Sequence, residues 1–142
     1  MKIYLDNCCF NRPYDDQTQL KIYLETQAKL DIQKDIISGE YELVWSFILD
    51  FENEQNPFEL RKNSIAGWRS VAKSYIILND NISNFAKLLL EKGLKKKDAL
   101  HIACAVEAKC NVFLTTDKKL LNTLIPEIQV LSPLEFISKM EG

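Results

Sequence analysis

Hydrophobic residues along the chain alternate between short runs and longer segments in which they recur every three or four positions. The short runs hold four to six residues each and predict strands that are buried on both faces. The predicted strands are residues 2–6, 41–46, 75–78, 111–116 and 128–131. The segments between them have helical spacing, so strands and helices alternate along the chain.

Residues that begin and end helices give the boundaries of the helical segments. Gly39 and Gly93 end two of the predicted helices, and Asp80 or Asn81 caps the start of the second. Ser132 with Glu135 has the spacing of a capping box and predicts a last helix. The other predicted helices are residues 17–38, 57–74, 80–92, 97–109 and 118–124, with a short one following residue 46. The apolar residues that indicate the first of them are Leu20, Tyr23, Leu24, Ala28, Leu30 and Ile37.

Short strands that alternate with helices predict an α/β protein with a parallel sheet covered on both faces. Crossovers in such sheets are right-handed, so all strands end at the same edge, where open α/β sheets build their sites. The 4 glycines and 4 prolines are scattered, and no flexible linker divides the chain. We therefore expect residues 1–142 to form a single domain.

Acidic residues follow two of the predicted strands. Asp6 follows the first and Asp117 follows the fourth, so neighbouring strands would place them about 4.8 Å apart. Two carboxylates this close resist joint ionisation unless a cation lies between them, and oxygen ligands favour Mg²⁺ or Mn²⁺. Glu52 and Asp98 can reach the same edge. Taken singly, each acid is also explained as a helix cap, a first-turn acid or a surface residue.

Composition narrows the possible classes of protein. The net charge of −2 argues against ordinary nucleic-acid binding, although a bound metal ion would restore local positive charge. None of the 4 cysteines forms a C-x-x-C pair, so we expect reduced thiols and no structural zinc. Neither a signal peptide nor an apolar stretch of about 20 residues is present. We therefore expect a cytoplasmic protein without a membrane segment.

Four segments carry a resemblance to a known family. "YLDNCCFNRP", the segment around Glu52, "DALHIACA" and "FLTTDKKLL" resemble the PIN-domain family of metal-dependent nucleases, which includes the VapC-type toxins of toxin–antitoxin pairs. The resemblance implies a three-layer α/β/α sandwich with a central parallel sheet of about five strands. It also implies hydrolysis of RNA phosphodiester bonds with Mg²⁺ or Mn²⁺.

The resemblance assigns the family's four acids to positions in this chain. They match Asp6, Glu52, Asp98 and Asp117, and of these Asp6, Asp98 and Asp117 are the implied metal ligands. Asp50 and Glu54 flank Glu52, so the register of that match stays open. A hydroxyl residue is implied at Thr115 or Thr116, whereas Cys8 stands where the family often has Thr or Ser. The implied partners are RNA, a small antitoxin protein and a second copy of the chain, with the long first helix and the Trp68 region supplying the dimer contact.

Residues beside the acids suggest how RNA would be bound. Arg12, Lys95, Lys96, Lys97 and Thr116 are candidate RNA contacts, although a run of lysines is also typical of a solvated surface. His101 is the only histidine, so no Ser–His–Asp set exists and metal-activated water is the expected nucleophile. We expect His101 to pack or form hydrogen bonds, with a phosphate contact as the alternative.

Other classes of protein fit the sequence less well. A phosphorylated receiver domain needs a lysine after a late strand, where this chain has Asp117, and a Rossmann domain needs a glycine-rich turn after the first strand. The remaining alternative is a PIN-like module that has lost catalysis and binds RNA or protein. Four acids in the expected order argue against it.

Overall fold

A computed structural model describes residues 1–141. Within them, five strands form one sheet in the order β3-β2-β1-β4-β5, and every neighbouring pair is parallel. The strands are β1 (Lys2–Leu5), β2 (Glu42–Ser46), β3 (Ser74–Ile76), β4 (Val112–Leu114) and β5 (Gln129–Leu131). All five strand predictions are confirmed, with ends that differ by up to two residues. The predicted α/β class with a parallel sheet is confirmed as well.

Helices cover the sheet. They are α1 (Asn7–Asn11), α2 (Leu20–Ile37), α3 (Phe47–Glu54), α4 (Glu59–Ala66), α5 (Asp80–Glu91), α6 (Lys96–Glu107), α7 (Lys118–Leu121) and α8 (Pro133–Glu141). Two short 3₁₀ turns, Arg12–Tyr14 and Gly67–Ser70, follow α1 and α4. No helix in residues 1–141 is long and apolar enough to cross a membrane.

Strand β1 lies at the centre of the sheet between β2 and β4. Its residues Ile3 and Leu5 pair with Val112 and Leu114 of β4, and they are fully buried. These apolar side chains belong to the hydrophobic core of the protein. Because Leu5 and Leu114 are partners in the sheet, the polar residues that follow them meet at the same edge.

Some helix starts agree with the sequence and others differ. Ser132 and Glu135 form the predicted capping box, in which each backbone N–H donates to the other's side-chain oxygen at 3.1 Å. The prediction that Asp80 or Asn81 caps α5 is wrong, since Asn79 is extended and accepts from the N–H of Ile82. The predicted helix 57–74 is also wrong in extent. It begins two residues after Pro57 and gives way to the 3₁₀ turn at Gly67.

The buried face of α2 is not the face that its apolar residues suggest. Leu20 and Ile37 are 71% and 68% exposed. The buried residues of this helix are Glu25, Thr26, Ala28, Lys29, Ile32, Gln33 and Ile36. Two polar members of this set have a physical account: Glu25 forms an ion pair with Arg12 at 3.1 Å, and Lys29 lies over the ring of Phe10. Burial lowers the pKa of Lys29 to about 8.

Candidate metal centre

Asp6 follows β1 directly and caps α1. The chain is extended at Asp6, so one carboxylate oxygen turns back and accepts the N–H of Asn7 at 2.8 Å. The other oxygen accepts the hydroxyl hydrogen of Thr115, also at 2.8 Å. Asp6 is only 6% exposed, and these two bonds fix the orientation of its carboxylate. Strand pairing supplies the second bond, because Thr115 follows the β4 residue paired with Leu5.

Thr115 connects the first and the last acid of the predicted set. Its buried hydroxyl donates to Asp6 and accepts the backbone N–H of Asp117 at 3.1 Å. Asp117 caps α7, with Oδ1 accepting the N–H groups of Lys119 and Leu120. Both capping bonds use Oδ1, which leaves Oδ2 for another ligand. Asp117 is thus both a helix cap and an acid at the edge of the sheet.

Glu52 reaches the edge from α3. One oxygen of its carboxylate forms a hydrogen bond with Nε2 of His101, and the other accepts the side-chain amide of Asn7 at 3.3 Å. Burial raises the pKa of Glu52, but its hydrogen bond with His101, together with the charge of Lys97 and the hydrogen bond from Asn7, outweighs burial and lowers it overall. Glu52 therefore lies beside the Asp6 end of the site as a carboxylate.

The acids that flank Glu52 have other partners. Asp50 accepts the indole N–H of Trp45 at 2.7 Å and the hydroxyl of Tyr75, on the far side of the helix. Glu54 forms an exposed ion pair with Lys62 at 3.2 Å. Of the three acids in this segment, the structure brings Glu52 toward Asp6.

His101 is a member of the site that the sequence did not place there. It lies fully buried on α6, with Nδ1 at 2.6 Å from the Tyr4 hydroxyl and Nε2 beside Glu52 and 3.9 Å from Asp6 Oδ1. Polar atoms of Asp6, Glu52 and His101 lie within 4.8 Å of one another and form the tightest group at this edge of the sheet. The signal was present in the sequence: His101 follows Asp98 by three residues, and such pairs are neighbours on a helix.

Asp98 lies in the first turn of α6 and is half-buried. Burial and then the negative charges of Asp6 and Asp117 raise its pKa to about 6, with Glu52 adding to the effect and His101 opposing it. The other three predicted acids therefore all act electrostatically on Asp98. Carboxylates that resist joint ionisation gain from a divalent cation, and carboxylate oxygens suit Mg²⁺ or Mn²⁺. The residues present thus fit a metal ion of this kind, although Asp98 and Asp117 lie outside the tight group formed by Asp6, Glu52 and His101.

The candidate RNA contacts lie in different environments. Arg12 forms ion pairs with the buried Glu25 and with Asp15, which engages its guanidinium within the protein. Lys95, Lys96 and Lys97 are exposed beside Asp98. Thr116 is buried, with its N–H 3.4 Å from the sulfur of Cys8. Contact with RNA remains a prediction for all five residues.

Comparison with known proteins identifies the fold. No protein-family model matches the sequence, and no curated protein matches it by sequence. Among solved structures, the chain is similar to FitAcB from Neisseria gonorrhoeae, with a TM-score of 0.61, 12% identity and coverage of 93% of this chain and 98% of the other. It is also similar to a toxin–antitoxin complex from Klebsiella pneumoniae, with a TM-score of 0.61, 16% identity and coverage of 92% of this chain and 97% of the other. The similarity to VapBC-1 from nontypeable Haemophilus influenzae has a TM-score of 0.55, 18% identity and coverage of 94% of this chain and 99% of the other.

These similarities define the class of fold. The chain has the α/β fold found in toxin–antitoxin complexes, over more than nine-tenths of its length. The PIN-like, VapC-like fold inferred from its four sequence segments is therefore confirmed. Sequence identities of 12–18% establish a shared fold and do not establish a shared activity. The activity has to be inferred from the residues of the site.

Proposed function

We propose that the protein is a metal-dependent endoribonuclease that hydrolyses RNA phosphodiester bonds. One observation carries the proposal: four acids from separate parts of the chain converge on one sheet edge, where their charges help raise the pKa of Asp98 to about 6. A structural cluster of acids without a cation costs stability, so its presence favours a functional explanation. Similarity of the fold to toxins of toxin–antitoxin complexes supports the same reading.

Asp6, Asp98 and Asp117 would hold Mg²⁺ or Mn²⁺. When bound, such an ion polarises a phosphoryl oxygen and makes water a stronger nucleophile at neutral pH. Thr115 keeps the Asp6 carboxylate in place through its 2.8 Å hydrogen bond. Glu52 would orient the attacking water or add an oxygen ligand.

The lysines before Asp98 would hold the substrate. Lys95, Lys96 and Lys97 are exposed at the start of α6, next to the acids. Phosphate groups are attracted to such a positive rim even on a protein whose net charge is −2. We expect these lysines to strengthen binding to RNA of any sequence, because contacts to phosphates position the RNA and do not read its bases.

We further propose that the chain is one PIN-like domain and the toxin component of a cytoplasmic toxin–antitoxin pair. The structures that it resembles include toxin–antitoxin complexes, and this chain covers 97–99% of their matched chains. A small antitoxin protein is therefore the proposed partner, together with a second copy of the chain. A neighbouring reading frame that encodes a small protein, and co-purification with its product, would test the pairing.

Cleavage assays with Mg²⁺ and Mn²⁺ test the enzymatic proposal. We expect single-stranded or loop RNA to be cut, and EDTA or Asp98→Ala to abolish cleavage while the fold persists. Asp80→Asn is a matched control, because Asp80 is also a first-turn acid but lies on α5. A folded Asp98→Ala protein that cleaves at the parental rate would remove Asp98 from the site. A parent that neither cleaves diverse RNAs nor binds Mn²⁺ would instead favour the binding module.

A further inference from the structure

A buried chain of hydrogen bonds runs from β2 to the acids. The hydroxyl of Ser46 lies 2.6 Å from that of Tyr4, and Tyr4 lies 2.6 Å from Nδ1 of His101. The opposite ring nitrogen, Nε2, forms a hydrogen bond with Glu52. Ser46, Tyr4 and His101 are all 0% exposed, so these hydrogen bonds are shielded from water as far as Glu52.

The acceptor at the end of this chain sets the direction of every hydrogen in it. An ionised carboxylate only accepts hydrogen bonds, so Nε2 of His101 must carry the hydrogen that faces Glu52. With that hydrogen on Nε2, the other ring nitrogen, Nδ1, accepts from the Tyr4 hydroxyl, and the Tyr4 oxygen in turn accepts from Ser46. The opposite arrangement would put the lone pair of Nε2 against the carboxylate.

Packing holds the ring in this orientation. Tyr4 stacks on Phe113 with ring centroids 5.2 Å apart and meets His101 edge to face at 5.7 Å. Residues from β1, β4 and α6 thus fix the plane of the imidazole. His101 and Asn7 each form a hydrogen bond with one oxygen of the Glu52 carboxylate, and together they fix its orientation.

We propose that His101 is a positioning residue that holds Glu52 in the site through Nε2–H and is not itself a metal ligand. The inference rests on the proposed function, since it concerns the same metal site. Both ring nitrogens are used, one by Tyr4 and one by Glu52, so no lone pair remains for a metal. The ion is then surrounded by oxygen donors alone, which favours Mg²⁺ or Mn²⁺ over the softer ions that imidazole attracts.

The tautomer of His101 is a direct test that needs no metal. Since His101 is the only histidine, ¹⁵N-histidine labelling gives signals from a single ring. A long-range ¹H–¹⁵N spectrum of the metal-free protein is expected to show hydrogen on Nε2 and none on Nδ1. Pulsed EPR of the Mn²⁺-loaded protein is expected to show no directly bound ring nitrogen. Hydrogen on Nδ1, or a nitrogen bound to Mn²⁺, would overturn the proposal.

Variants test whether the hydrogen bond to Glu52 matters for metal binding. We expect His101→Leu to weaken Mn²⁺ binding about 10- to 100-fold by calorimetry, as removal of outer-shell partners does elsewhere. His101→Gln keeps an N–H donor and is expected to restore most of that loss. Ile102→Val changes the adjacent core residue and should leave affinity unchanged. Equal affinities of parent and His101→Leu would refute the positioning role alone, whereas a parent that binds no Mn²⁺ would refute the metal site itself.

Tyr4→Phe provides a second variant if His101→Leu fails to fold. It removes one oxygen and leaves the aromatic packing on Phe113. We expect the fixed tautomer to become a mixture and Mn²⁺ affinity to fall roughly 3- to 10-fold, which is less than for loss of the direct donor. An unchanged tautomer together with unchanged affinity would show that the buried chain does not orient the ring.

Discussion

Asp98→Asn is expected to stabilise the metal-free protein at neutral pH. Burial, and then repulsion from Asp6 and Asp117, raise the pKa of Asp98 from 3.8 to about 6. A carboxyl whose pKa is higher in the folded than in the unfolded state destabilises the fold when it is ionised. This cost is complete above pH 6 and disappears as the pH falls toward 4, where the carboxyl is protonated in both states.

The size of the effect follows from the same pKa. For a fully buried carboxyl, a rise in pKa from 3.8 to about 6 would lower the free energy of unfolding by about 3 kcal/mol at neutral pH. Asp98 is only half-buried, so solvent screening reduces the cost to about 1.5 kcal/mol. Loss of a negative charge in the first turn of α6 removes about 0.5 kcal/mol of favourable helix-dipole energy. The expected net gain in the free energy of unfolding is about 1 kcal/mol.

Urea unfolding with EDTA measures this difference. Parent and Asp98→Asn should differ by about 1 kcal/mol near pH 7.5, and the gain should be lost near pH 4. The matched control, Asp80→Asn, removes a first-turn acid that is exposed on α5, so it should lose a few tenths of a kcal/mol. The two variants therefore have opposite signs. Loss of stability in Asp98→Asn at neutral pH, as in Asp80→Asn, would refute the repulsion inferred at the site.

Three further predictions concern other parts of the protein. Asp6→Asn and Asp117→Asn should each strongly weaken Mn²⁺ binding in calorimetric titration, and unchanged affinity in both would exclude a shared ion. Arg12→Ala should lower the free energy of unfolding by about 2–3 kcal/mol in urea, because it leaves the carboxylate of Glu25 buried without its ion pair; a loss below about 0.5 kcal/mol would show that this pair is unimportant. Sedimentation at micromolar concentrations should show a homodimer through α2 and the Trp68 region, and a monomer throughout would contradict it.

Strand patterns made the sheet predictable. Runs such as those ending at Leu5 and Leu114 are apolar without alternation, as buried parallel strands require. Once all strands are parallel, the residues directly after them must meet at one edge. The proximity of Asp6 to Thr115 and Asp117 thus follows from topology, with no knowledge of side-chain contacts.

Burial of polar residues was not predictable in the same way. Glu25 is buried on α2 because Arg12, from the turn after α1, lies against it. The spacing of apolar residues shows only which face of a helix is hydrophobic. The burial of Glu25 depends instead on an ion-pair partner 13 positions earlier in the sequence. The choice of Glu52 among three neighbouring acids was open in a similar way, and it is resolved by the contacts of Asp50 with Trp45 and of Glu54 with Lys62.

The hydrogen bond between Thr115 and Asp6 joins residues 109 positions apart, and it has a consequence for the timing of assembly. Strand β1 is synthesised first, yet its partner β4 and the adjoining Asp117 come from the last quarter of the chain. Contacts between such distant residues form late, because closing a long loop costs entropy before the contact is gained. A nascent chain that ends before β4 holds Asp6 and Glu52 without the hydroxyl and the acid that complete the site. The candidate site therefore stays incomplete while most of the chain is being translated, and its acids come together only when synthesis is nearly finished.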